Sequence, residues 1–155
     1  MNEQQIKLIQ DSWNVAVTVP NAMRLFYDRL FEIKPEVREL FPQDLADQEE
    51  KLAYMLGYVV NNLERLDQIT ESIEDLGRSH AKSKVKAEDY PAVGEALVWT
   101  IQQAMGNDYK DEVGEAWGVA YNFLSDKMIN APEKRERGIG NLISKLFGKR
   151  KNNAA

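Results

Sequence analysis

His80 lies in the stretch LGRSHAKSKV and is the only histidine among 155 residues, in a chain without cysteine. An imidazole can act as a general base, a proton shuttle or a metal ligand. Its neighbours in sequence narrow the choice. Structural zinc draws four ligands mainly from Cys and His, so that site is excluded. A disulfide, an iron–sulfur cluster and a cysteine nucleophile are excluded with it. The repeated Glu-x-x-His pattern of a di-iron bundle is missing. Ser79 and Ser83 flank the histidine, but no GxSxG nucleophile elbow accompanies them. Neither a P-loop nor GxGxxG occurs. One cofactor needs only one histidine, and that is haem held by a proximal imidazole.

Two other polar residues sit where a helix would turn them inward. Stepping by three and four from Ile69 through Ile73 and Leu76 lands on His80. Stepping back from Val59 through Met55 and Leu52 lands on Gln48, and Met23 and Leu30 bracket Tyr27. Each has an ordinary reading: a core histidine bonded to backbone, a glutamine capping a first turn, a tyrosine whose hydroxyl reaches solvent at a core edge. Together they are three inward polar groups, and each one left unpaired would cost about 1–3 kcal/mol. A polar ligand in an apolar pocket would satisfy all three.

Helices must present these residues. The apolar spacing predicts helices over residues 4–17, 20–33, 44–66, 70–81, 88–105 and 108–130, with a short segment PEVRELF at 35–41. Pro20 and Pro91 suit first turns, Gly106 and Asn107 stop a helix, and Pro132 ends the last one. No alternating strand pattern and no Asn-Gly hairpin signal appears. The expected class is all-α, with one domain over 1–132 and a basic amphipathic tail over 133–155.

Composition sets outer limits. With 43% hydrophobic and 29% charged residues, the chain reads as a soluble globular protein. No signal peptide or membrane-spanning run is visible, and the absence of cysteine fits a reducing cytoplasm. Residues 131–155 hold seven of the 20 Lys and Arg but two of the 25 Asp and Glu, so they carry +5 and the remainder −10. An acidic body repels nucleic acid, which is not an expected partner.

Four stretches resemble bacterial globins, in order and spacing. FYDRLFEIKPEVRELF (26–41) resembles their second helix and the turn after it, with Tyr27, Pro35 and Phe41 matching. QEEKLAYMLGYVVNNLERL (48–66) resembles the distal helix, LGRSHAKSKVKAEDYPAVGEAL (76–97) the proximal helix and its sequel, and EAWGVAYNFL (115–124) the last helix. The similarity covers about residues 3–130 and is greatest to flavohaemoglobin globin domains and single-domain bacterial globins of that branch. It implies a globin fold around haem b (iron protoporphyrin IX), with His80 as the proximal iron ligand. Tyr27 and Gln48 would form the distal pair, Phe41 would pack on the porphyrin and Leu52 would lie beside the ligand. Leu76, Val85, Tyr90 and Val93 would line the proximal side. Lys51 would pair with a propionate or remain a solvated surface lysine.

The implied ligands are O₂, NO and CO. A phenol O–H and an amide N–H can both donate to a diatomic ligand carrying partial negative charge. With no second histidine, bis-histidyl iron is not expected. The resemblance implies high-affinity O₂ binding and nitric oxide dioxygenase activity, with electrons from a separate reductase. The alternative is a haem-based gas sensor or O₂-delivery module acting through a membrane or protein partner. A haem-free relative would have little reason to keep His80, Phe41, Tyr27 and Gln48 together. One position departs from the pattern: the flavohaemoglobin glutamate that contacts the proximal His–Tyr network falls on Lys134, one residue after Glu133. Its loss weakens the case for peroxidase-like turnover.

The tail stretch GIGNLISKLFGKRK (138–151) would place Ile139, Leu142, Ile143, Leu146 and Phe147 on one helical face beside Lys145, Lys149, Arg150 and Lys151. That suits peripheral contact with an anionic inner-membrane surface, an acidic partner, or a simple extension folding back on the body. Either a monomer or a homodimer is compatible with the chain.

Overall fold

The computed structural model describes residues 1–133. The stretch 138–151, and Lys134, lie outside the described residues. Six α-helices and no strand occur among those described: α1 (Glu3–Ala16), α2 (Ala22–Ile33), α3 (Ala46–Asn61), α4 (Leu66–Lys82), α5 (Tyr90–Met105) and α6 (Asp111–Ile129). None is long and apolar enough to cross a membrane.

The core forms where apolar stripes meet. In α1 the buried positions Ile6, Ile9, Trp13 and Ala16 follow helical spacing. Asn2 and Gln5 cap its start reciprocally, at 2.8 and 3.0 Å. Ser12 of α1 is wholly buried and accepts the Trp117 Nε1 hydrogen of α6 at 2.9 Å. Its own hydroxyl donates to the Leu8 carbonyl at 2.7 Å. Phe26, Tyr27 and Leu30 are the buried residues of the middle of α2, which packs on α5, while α4 packs on α6.

Gly77 makes the α4–α6 approach possible. A Cβ there would collide with the Met128 backbone of α6. Arg78 Nη1 then donates to the Pro132 carbonyl at 2.7 Å, tying the chain beyond α6 to α4.

The expected helix over 44–66 is not continuous. α3 stops at Asn61, a 3₁₀ turn spans Leu63–Arg65, and α4 starts at Leu66 rather than at Thr70. Asn62 makes the break: its Nδ2 donates to the Tyr58 carbonyl at 2.7 Å and its Oδ1 accepts from Arg65 Nε at 3.1 Å. Leu63, buried inside the turn, anchors it in the core. The segment 35–41 is likewise a 3₁₀ turn, Pro35–Leu40. The expected start at Glu88 resolves into a 3₁₀ turn, Ala87–Asp89, before α5.

Candidate functional site

α3 and α4 are joined by one turn, yet they do not pack extensively on each other; α3 lies on α1 and α2, and α4 on α6. Of the residues of α3 only Val60 is buried. Its apolar positions Leu52, Met55, Leu56 and Val59 stay half-buried, and so do Leu76, His80, Val85 and Val93. Half-covered apolar side chains on α3, α4 and α5, and on the loop between the last two, are what a flat apolar group would complete.

Tyr27, from the middle of α2, is buried in an aromatic surround. Its ring lies 5.1 Å from Phe26, 5.4 Å from Phe41 and 6.1 Å from Phe31, centroid to centroid. The Tyr27 hydroxyl donates to the backbone carbonyl of Gln48 at 3.3 Å. Burial, and then the Glu49 carboxylate, push the phenol up to about 12, so it keeps its proton at neutral pH. The half-buried Gln48 amide makes no hydrogen bond among the described residues. Leu52 packs on the same core as Phe41 and Val93. Lys51 is exposed and has no ion pair among the described residues.

His80 sits in the last turn of α4. Its Nδ1 lies 3.4 Å from the Tyr90 hydroxyl, and Nε2 has no hydrogen-bond partner among the described residues. Burial lowers the imidazole below its usual range, which leaves it neutral at pH 7 with a free lone pair. No carboxylate contributes to that shift. Glu133, the carboxylate closest in sequence to the family's glutamate position, is exposed. Tyr90 is held in turn: its carbonyl accepts from the Tyr121 hydroxyl at 2.6 Å. A Cβ at Gly94 would lie 2.6 Å from the Tyr121 ring, so Gly94 leaves that ring its place. No group of three or more His, Asp or Glu able to hold a metal ion exists among the described residues, so His80 stands alone as a candidate ligand.

Sequence reasoning missed Tyr121, Phe31 and Glu49. Tyr121 is four residues after Trp117, a spacing that could have placed it on the same face. Phe31 and Glu49 carry no signal of their own.

The globin family model matches residues 24–128. A flavohemoprotein of Rhizobium meliloti (strain 1021) is 33% identical over 104 residues, covering 65% of this chain but only 26% of the relative's length. An uncharacterized globin-like protein of Aquifex aeolicus (strain VF5) is 33% identical over 108 residues, 70% of this chain and 76% of that protein. The structure of a bacterial globin from Campylobacter jejuni matches with a TM-score of 0.71 and 25% identity over 84% of this chain and 95% of that one. The chain belongs to the globin family, and its helices form the globin fold. Globins bind haem, and the free His80 Nε2, together with half-covered apolar side chains on α3, α4 and α5, fits that group.

Proposed function

We propose that this globin holds haem b through His80 Nε2, binds O₂ reversibly with high affinity, and converts nitric oxide and O₂ to nitrate when given electrons. The carrying observation is the environment of His80: a neutral imidazole with Nδ1 against Tyr90 and Nε2 free. When bound, haem supplies an iron site for diatomic gases.

The chain's residues do the rest. Phe41, Leu52, Leu76, Val85 and Val93 cover the macrocycle with apolar surface and keep water from it. With Nε2 on the metal, Nδ1 carries the ring proton and donates to the Tyr90 oxygen, which orients the imidazole and raises its basicity. Tyr27, protonated because its phenol is raised, would turn its one hydroxyl hydrogen from the Gln48 carbonyl to the ligand's partial negative charge. The Gln48 amide is free to donate a second one. Lys51 is the available propionate partner.

NO and O₂ need one added electron to give nitrate. The flavohemoprotein relatives extend far beyond the matched region, since that region is 26% and 28% of their lengths. We assign the electron to a reductase. Absorption spectra of the purified protein in air, with dithionite, and then with CO test the reading. A Soret band that moves on reduction and sharpens with CO, and is lost in His80→Ala, is expected. No Soret band after haem addition would refute it.

A further inference from the structure

We propose that the Lys34–Asp89 ion pair is a positioning device, setting how closely Tyr90 approaches His80 and thereby tuning the histidine as a ligand. The inference rests on the reading of His80 as the haem ligand. Asp89 is buried immediately before Tyr90, and both its carboxylate oxygens are engaged. Oδ1 pairs with Lys34 Nζ at 2.7 Å, and Oδ2 accepts the Lys86 backbone N–H at 2.8 Å. The same Lys34 ammonium donates to the Glu88 carbonyl at 3.0 Å. The 3₁₀ turn leading into α5 is thus clamped at three points, and the first residue after the clamp is Tyr90.

Two features make this clamp matter for His80. The Tyr90 hydroxyl lies 3.4 Å from Nδ1, beyond the 2.7–3.2 Å or so typical of N–H···O bonds. At that separation a shift of a few tenths of an ångström makes or loses the interaction. Among the described residues Tyr90 has one other side-chain hydrogen bond, from the Tyr121 hydroxyl to its carbonyl. Lys34 caps the C-terminal end of α2, the helix that carries Tyr27. The pair therefore registers the helix bearing Tyr27 against the start of α5, which bears Tyr90. Lys34 and Asp89 side chains are 24% and 10% exposed. A charge as covered as that of Asp89 needs its partner, so removing Lys34 would displace the turn rather than leave it standing.

The test uses the full haem-loaded chain in the ferrous, ligand-free state and reads the iron–histidine stretching band by resonance Raman. Lys34→Met and Asp89→Asn are expected to lower its frequency, in the direction that Tyr90→Phe lowers it. Lys34→Arg, which keeps both donations, restores the parent value. Combining Asp89→Asn with Tyr90→Phe shifts the band no further than Tyr90→Phe alone. An unshifted band in Lys34→Met and Asp89→Asn, where Tyr90→Phe does shift it, overturns the inference while leaving the function standing. Additive shifts in the double variant overturn it as well. No iron–histidine band in the parent protein would overturn the assignment of His80, and the inference with it.

Discussion

The Tyr27 hydroxyl meets Gln48 at the backbone carbonyl, 3.3 Å away, and not at the side-chain amide. Two consequences follow for the candidate distal site. The tyrosine is placed by the course of α3, so its position does not depend on which side chain stands at 48. The Gln48 amide, for its part, is left free to act on a ligand directly.

Replacing Tyr27 by Phe is expected to raise the O₂ dissociation rate at least tenfold. A hydrogen bond to a charged acceptor contributes about 1.5–3 kcal/mol, and about 1.4 kcal/mol is a factor of ten. Gln48→Leu keeps the carbonyl that places Tyr27, so its effect should be the smaller of the two. Stopped-flow displacement of O₂ by CO measures both, and an unchanged rate in Tyr27→Phe would remove that residue from the site.

His80→Ala should abolish haem retention through gel filtration. Free imidazole added to the variant should restore a Soret band, because the cavity left by the side chain admits it. A variant that keeps its haem without imidazole would show that another residue holds the iron.

Tyr27 also predicts an alkaline loss of stability. Its folded phenol is raised to about 12 by burial and then by Glu49, against about 10 in an unfolded chain. A raised pKa contributes stability that is fully present below pH 10 or so and is lost as pH climbs toward 12, because the unfolded chain gives up the proton first. Tyr121 is raised in the same direction, chiefly by burial, so the wild-type curve contains both. Urea unfolding of wild type and Tyr27→Phe at pH 9 to 12 isolates the difference. The variant's stability should fall less steeply, and parallel curves would mean that Tyr27 is not desolvated.

Gly77→Ala is expected to destabilise the fold by about 1–3 kcal/mol, the range for overpacking a close contact. The added methyl must push α4 off the Met128 backbone. Because His80 sits one turn further along α4, haem should also transfer faster to an apoglobin acceptor. Gly118→Ala is the control: nothing lies within 4 Å of a Cβ there, and helix propensity alone favours it by about 0.5–1 kcal/mol. Equal midpoints for the two variants in denaturant would contradict the packing described for Gly77.

Much was legible from residue types and spacing alone. With one histidine and no cysteine, metal sites built mainly from imidazole or thiolate lack their donors, and what remains of that chemistry is a single histidine ligand. Helical spacing marked His80, Tyr27 and Gln48 as inward polar positions, since the side-chain direction along a helix follows from its period. The ends of α2 and α5 were also readable, at Ile33 before Pro35 and at Met105 before Gly106. Other features needed the tertiary structure. The break between α3 and α4 was expected at 67–69 and falls instead at 62–65, because the apolar spacing runs on through Leu63 and Leu66 without a Gly or Pro. That Gln48 offers Tyr27 its carbonyl depends on how α3 crosses α2. The Lys34–Asp89 pair joins residues 55 positions apart, and Tyr121 reaches Tyr90 across 31. Periodicity tells which face of a helix is apolar; which element that face meets, and which polar groups are carried together at its edges, is decided only when all the faces are buried at once.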